Sequence, residues 1–176
     1  YWAGPDFLAD APTDVGLLWG MGALDFAGGN VVHINAGIAG HVGCLMIGKR
    51  LGYGREATPP HSLTMTMIGA SLLWVGWFGF NGGSQLAADG GAAMAITVTH
   101  LSAAAASLSW ILWERIKFGR ASLVGLVTGT IAGLASITPA SGFVGPIEAL
   151  IIGAVAGVLC QEAVLLIRNR LKIDDT

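Results

Sequence analysis

Between Asp25 and Lys49 the chain carries no charged side chain, and the same is true of Ala57 to Ala88, Gly90 to Trp113 and Ala121 to Ile147. Each stretch can hold the roughly 20 apolar residues an α-helix needs to cross a hydrocarbon layer. A fifth stretch, about Ile147 to Ile167, contains Glu162 near its end. The pattern predicts an all-α membrane protein with five transmembrane helices, over about 26–48, 63–84, 91–113, 121–138 and 147–167.

Composition strengthens this reading. The chain is 53% hydrophobic and 11% charged, where a soluble domain needs about 25% charged residues, and its mean hydropathy is +0.67. A formal net charge of -2, with no basic run interleaved with aromatics, excludes nucleic acid as a partner. All 9 Lys and Arg residues follow the first, third or fifth span. The opposite segments offer Asp6, Asp10, Asp14 and Asp89, or no charge at all. The positive-inside rule then puts the N-terminus of this chain outside and its C-terminus in the cytoplasm.

Cys44 and Cys160 stand far apart in apolar runs, without metal-like spacing, and read as small buried hydrophobes. The chain opens on Tyr1 with no basic region or cleavage site after it, so no signal peptide is expected and the chain reads as a fragment.

The glycines, 27 in all, concentrate within the spans. Gly125, Gly129 and Gly133 at spacing four, and Gly153 with Gly157, predict faces where helices approach closely. In the first span Gly29, His33, Gly37 and Gly40 are placed by spacing on one face, so the imidazole is expected to project beside an open space. An ionisable ring at such a depth is a functional candidate by default. Asp25, just before the span, can cap its first backbone N–H groups, with His33 roughly 12 Å deeper at 1.5 Å per residue. Trp74, Trp77, Phe80, Asn81 and Ser84 form an expected stripe up one face of the second span, its ring faces and serine oxygen suited to attracting a cation at the outer mouth. Trp2, Trp19, Trp110 and Trp113 read as interfacial aromatics. His41 and His100 are expected to be hydrogen-bonded within the membrane, and His61 to be solvated in a loop. Glu162 is expected to reach the cytoplasmic interface near Arg168, and Glu148 to sit in the first turn of its helix.

The blocks "GALDFAGGNVVHINAGIAG", "PPHSLTMTMIGASLLWVGWFGFNGGS" and "GLVTGTIAGLASITPASGFVGPIEALIIGAVAGV" resemble the ammonium transporter family (Amt/Mep/Rh), in the same order and at similar separations over most of residues 22 to 158. The resemblance implies an eleven-span inverted-repeat fold in a homotrimer with a pore through each subunit, of which this chain holds about the fifth to ninth spans. It implies that His33 is the first of two pore histidines and that Asp25 organises the recruitment region. Phe80 matches a ring of the outer gate, Trp77 a pore-lining tryptophan, and Ser84 and Trp2 the outer ammonium site. Asn30 stands where the family usually has threonine and His41 where it has an aliphatic residue. The chain ends before the position of the second histidine.

The function this implies is passage of ammonium or ammonia through a hydrophobic, histidine-lined pore, with the solute and the lipid bilayer as partners, a possible cytoplasmic regulatory protein, and no cofactor or metal. The alternative is an ammonium-sensing membrane module coupled to a signalling domain or regulator. An intramembrane enzyme is not expected, because His33 has no cysteine or carboxylate one helical turn away.

Overall fold

The computed structural model describes residues 16–56 and 58–174, and every regular element among them is helical. A short helix, α1 (Leu17–Gly20), precedes span one, which opens with a wide π-helical turn, Gly29–Ile34, and continues as α2 (Asn35–Ile47). Then come α3 (Leu63–Gly83), α4 (Gly90–Phe118), α5 (Leu123–Ile137) and α6 (Pro146–Leu165), the last running on through a π turn at Leu166–Arg170. Four of these, span one, α3, α4 and α6 with its extension, are long and apolar enough to cross a membrane, and α5 is a shorter apolar helix.

The helix ends follow from local chemistry. Ser62, Asp89 and Ser122 cap α3, α4 and α5, each side chain accepting from a backbone N–H of the first turn. Glu148 accepts from the Gly145 N–H at 3.1 Å at the start of α6. The third span, read over 91–113, extends instead to Phe118, because Glu114, Arg115 and Lys117 end an apolar run without ending a helix. Gly119, at φ 75°, does end it. Conversely, α5 stops at Ile137, two residues before Pro139, which cannot continue the backbone ladder.

α4, α5 and α6 make the core, with Val98, Ile137 and Ala149 fully buried at its centre. The glycine repeats are where these helices touch. A Cβ on Gly133 would lie 2.6 Å from the Ser102 carbonyl, one on Gly129 would lie 2.6 Å from Cβ of Trp110, and Gly153 and Gly157 meet the backbone at Ser102 and Ala106 as closely. Hydroxyls stitch the same seam: Ser102 Oγ donates to Gly133 O at 2.9 Å, and Ser107 and Thr130 share a hydrogen bond of 2.6 Å. Trp110, read as an interfacial aromatic, is 5% exposed in this seam, because the missing side chain at Gly129 makes room for its ring.

The basic residues gather at one end. Arg50 Nη2 pairs with Asp174 Oδ1 at 2.9 Å, and the Tyr53 hydroxyl lies 3.2 and 3.1 Å from the carbonyls of Arg168 and Ile173. Lys117 Nζ pairs with Glu162 Oε1 at 2.6 Å, and Trp113 Nε1 donates to the same oxygen. Glu162 therefore reaches across to α4, one helix away, and does not run along its own helix toward Arg168.

Candidate functional site

Pro139 both ends α5 and seats the start of span one. Its carbonyl accepts from the Phe26 N–H at 2.9 Å, and its ring lies against Gly29, where any Cβ would collide with it. Asp25, held at this junction, accepts from the N–H groups of Asn30 at 3.0 Å and Val31 at 3.4 Å. Those are first-turn donors with no intrahelical partner, so the carboxylate caps the span from five residues back. The span starts at Gly29, after Gly28 at φ 92°, so His33 lies only about 6 Å along the axis from that start by the helical rise.

The π turn also changes which residues share a face. An extra residue in the turn shifts the register between Gly29 and the α-helical part. Gly29 is buried against Pro139, whereas Gly37, Gly40 and Gly43 have nothing within 4 Å of a would-be Cβ. The single face expected for Gly29, His33, Gly37 and Gly40 thus divides: Gly29 is seated on Pro139, and Gly37 and Gly40 meet no described residue. Turns of this kind recur at functional sites.

His33 stacks on Trp77, ring centroids 5.0 Å apart and planes at 30°, and presents itself edge-on to Phe80 at 5.9 Å. Trp77 and Phe80 meet edge to face at 5.9 Å. The indole is fixed from behind: Trp77 Nε1 donates 2.9 Å to Thr138 Oγ1, and that hydroxyl donates 2.7 Å to Leu134 O. These three rings line an open groove of about 470 Å³, completed by Gly69, Leu72, Leu73 and Gly76. His33 Nε2 and Asp25 Oδ1 are both buried atoms without a hydrogen-bond partner among the described residues. A ring nitrogen left open on an apolar groove is costly unless something occupies it in use.

Of the residues singled out from the sequence, His33, Trp77 and Phe80 come together. Asp25 frames the turn that carries the histidine. Ser84 lies one turn beyond Phe80 on the same face, and its hydroxyl donates 2.8 Å to Phe80 O, which leaves the oxygen lone pairs as acceptors. Trp2 lies outside the described residues. The stripe expected on α3 divides in two, since at 100° per residue Trp74 and Asn81 point about 60° to one side of Trp77 and Phe80 to the other. Asn81 is fully buried and donates 2.9 Å to Thr99 Oγ1. Trp74 lies tilted at 34° against His100, centroids 5.3 Å apart, with Phe78 tilted at 51° against the same imidazole at 6.0 Å. His100 is therefore held by rings and not by Thr or Ser hydroxyls. α2 packs against no other described helix, and His41 makes no hydrogen bond among the described residues. Thr138 and Pro139 were not recognised as site residues, although the motif "SITPAS" carries both at the end of an apolar run.

A fold with four helices long and apolar enough to cross a membrane, presenting an imidazole and two aromatic rings to a groove, is that of a multi-pass membrane protein. The family model described as "Ammonium Transporter Family" matches residues 13–176, and the chain belongs to that family. It is 50% identical over 165 residues to ammonium transporter Amt1 of Archaeoglobus fulgidus, covering 90% of this chain and 42% of that protein. The Mep2 crystal structure from Candida albicans superposes with a TM-score of 0.84 at 42% identity, over 91% of this chain and 36% of that one. A structure titled "Sensor Amt Protein" superposes at 0.88 with 34% identity, over 94% of this chain and 42% of that one. The chain thus spans well under half the length of these relatives, which carry transporter or sensor names and not those of enzymes.

Proposed function

We propose that the protein of which this chain is a part moves ammonium or ammonia across the membrane along the groove that His33, Trp77 and Phe80 line. The observation that carries this is the buried, unpartnered His33 Nε2 stacked on a hydrogen-bonded indole at an open apolar groove. Ammonium donates hydrogen bonds tetrahedrally, and K⁺ of similar size donates none, so a site of ring faces and oxygen or nitrogen lone pairs distinguishes them. The Ser84 oxygen and the rings of Phe80 and Trp77 form the recruiting end. Past Phe80 the groove is apolar, where an intact cation costs several kcal/mol, so the solute gives its proton to the His33 imidazole or to water near the rings and continues as ammonia. The imidazole serves there as a neutral acceptor or a proton shuttle, because a fixed imidazolium would repel ammonium.

The gathering of Arg50, Lys117 and Arg168 at one end supports an outside N-terminus and a cytoplasmic C-terminus for this segment, with Ser84 at the outer end. A homotrimer, a cytoplasmic regulatory partner and a second histidine outside this chain complete the reading. The structural likeness to the sensor protein supports the second reading, in which the same groove binds ammonium and signals through an attached domain. The deciding measurement is ammonium flux in proteoliposomes containing the full-length protein. His33→Ala is expected to lower flux by at least about tenfold, or about 1.4 kcal/mol, or to admit K⁺. Unchanged flux and selectivity would refute the role given to this imidazole.

A further inference from the structure

His33 and Trp77 stack with ring centroids 5.0 Å apart, yet they stand on two elements that, among the described residues, do not pack on one another. The turn Gly29–Ile34 and α3 each pack on α5 instead. The contacts that place the two rings converge on two successive residues at the end of α5. Thr138 Oγ1 accepts from Trp77 Nε1 at 2.9 Å. Pro139, the next residue, accepts from the Phe26 N–H at 2.9 Å through its carbonyl and meets Gly29 with its ring. One residue holds the indole, and its neighbour holds the turn that carries the imidazole.

The two supports move as one body. A single planar peptide joins them, with Cα atoms about 3.8 Å apart, and the pyrrolidine ring fixes φ of the second. Thr138 is fully buried, and its hydroxyl donates 2.7 Å to Leu134 O. Beyond Pro139 the chain closes on itself. Ala140 N–H donates 2.9 Å to Ile137 O, Phe143 N–H donates 2.8 Å to Ala140 O, and the hydroxyl of the fully buried Ser141 donates 3.3 Å to Thr138 O. The same knot receives the Phe26 ring in the notch left by the missing side chain of Gly142, edge to face with Phe143 at 5.8 Å. Ring pairs tolerate a range of offsets, so the stack does not fix its own geometry, whereas a buried hydrogen bond and a rigid proline seat do.

We propose that Thr138 and Pro139 are positioning residues for ammonium selectivity: the end of α5 sets the spacing of the His33 imidazole and the Trp77 indole from both sides at once. This rests on the passage proposed above. Two perturbations reach the stack from opposite sides. Thr138→Val keeps the shape of the side chain and removes the acceptor of the indole N–H. Gly29→Ala leaves the indole and its hydrogen bond alone and forces a Cβ into the Pro139 ring, so the turn bearing His33 must lift.

Both are read in the full-length protein by ammonium uptake into proteoliposomes with K⁺ as competitor, and by the fluorine resonance of Trp77 in fluorotryptophan-labelled protein, assigned through its loss in Trp77→Phe. Each variant is expected to lower uptake about tenfold, in line with the cost of small misplacements in a positioned site, and to let K⁺ compete. Each should also shift or broaden the Trp77 resonance. Thr138→Ser keeps the hydroxyl and should recover most of the rate and the wild-type resonance. If Thr138→Val does not assemble, Thr138→Cys, with a weaker acceptor, takes its place and should show the same changes to a smaller degree. If Gly29→Ala does not assemble, Pro139→Ala carries that arm: it keeps the carbonyl that accepts from Phe26, removes the ring atoms that seat Gly29, and should broaden the Trp77 resonance. A Trp77 resonance unmoved by the perturbation at Gly29 or Pro139 would overturn the proposal, as would wild-type uptake and selectivity in Thr138→Val. His33→Ala measured in parallel separates the two claims. If it transports normally the passage reading fails, and if it is impaired while Thr138→Val is not, only the positioning role fails.

Discussion

Two parts of this molecule use glycine to opposite ends. In the α4, α5 and α6 seam, Gly129, Gly133, Gly153 and Gly157 are filled spaces, each pressed against a neighbouring backbone or the root of a side chain. On span one and α3, a Cβ at Gly37, Gly40, Gly43, Gly69 or Gly76 would meet no described residue within 4 Å. The most apolar stretch of α4 is 44% buried, while that of α3 is 6% and that of span one 0%. Among the described residues, α4 is thus the helix that packs, and span one and α3 do not pack on each other. Close approach and cleared volume both require a missing Cβ, and only the surroundings tell them apart.

Adding one methyl to each kind of glycine gives the sharpest way to break this contrast. In the seam, Gly153→Ala and Gly133→Ala force a Cβ into the Ser102 backbone, and overpacking of this kind costs about 1–3 kcal/mol. Thermal unfolding of the full-length protein in detergent should show a clear loss of stability for either. Gly40→Ala meets no atom of the described residues and improves helix propensity by about 0.5–1 kcal/mol, so its stability should hold or rise. Its ammonium flux should fall, because the methyl projects from the glycine face below His33. Equal destabilisation by Gly40→Ala and Gly153→Ala would show that this glycine face is a packing face, and the passage would have to be sought elsewhere.

A smaller effect separates the seam from the ring cluster. Trp77→Phe keeps an aromatic face toward His33 but removes the 2.9 Å hydrogen bond to Thr138, a loss of about 1 kcal/mol. Because Thr138 still donates to Leu134, α5 should be undisturbed, and the deficit should appear chiefly as poorer ammonium selectivity over K⁺. Loss of stability with normal selectivity would assign Trp77 to the scaffold instead.

The contrast also explains what was legible in the sequence. Long charge-free runs gave the spans, since the bilayer leaves few alternatives to a helix, and residue spacing found the faces around Gly133 and Gly153 because those helices are regular. His33, Trp77 and Phe80 could be singled out from chemistry and resemblance together. The π turn at Gly29–Ile34 was not visible, because apolar periodicity assumes 3.6 residues per turn, and that assumption put Gly29 on the face of His33. Trp110 was misread because composition near a span end looks the same whether a ring faces lipid or a glycine. The role of Thr138 and Pro139 depends on contacts with residues 61 and more than 100 positions away, which no local pattern encodes.

The smallest expected effect lies at the exposed end of the scaffold itself. Asp89 caps α4 with bonds from Ala92 and Gly91, and Gln85 Nε2 sits 3.3 Å from its other oxygen. The Ala92 N–H above all, then Gln85, lowers the carboxyl pKa below its ordinary value. A carboxyl whose value is depressed on folding stabilises the fold at pH above the unfolded value, and that contribution is lost as pH falls through the folded one. Protonation should therefore loosen the first turn of α4 in acid while leaving the buried seam from Ala95 onward intact. Amide exchange at Gly91 and Ala92, corrected for its intrinsic pH dependence, should quicken as the pH falls below the ordinary carboxyl range, and Asp89→Asn should be quick throughout. If exchange also quickened at Ala103 and Ala106, the cap would govern the whole helix, and the division between a rigid seam and separately held ends would not hold at this end.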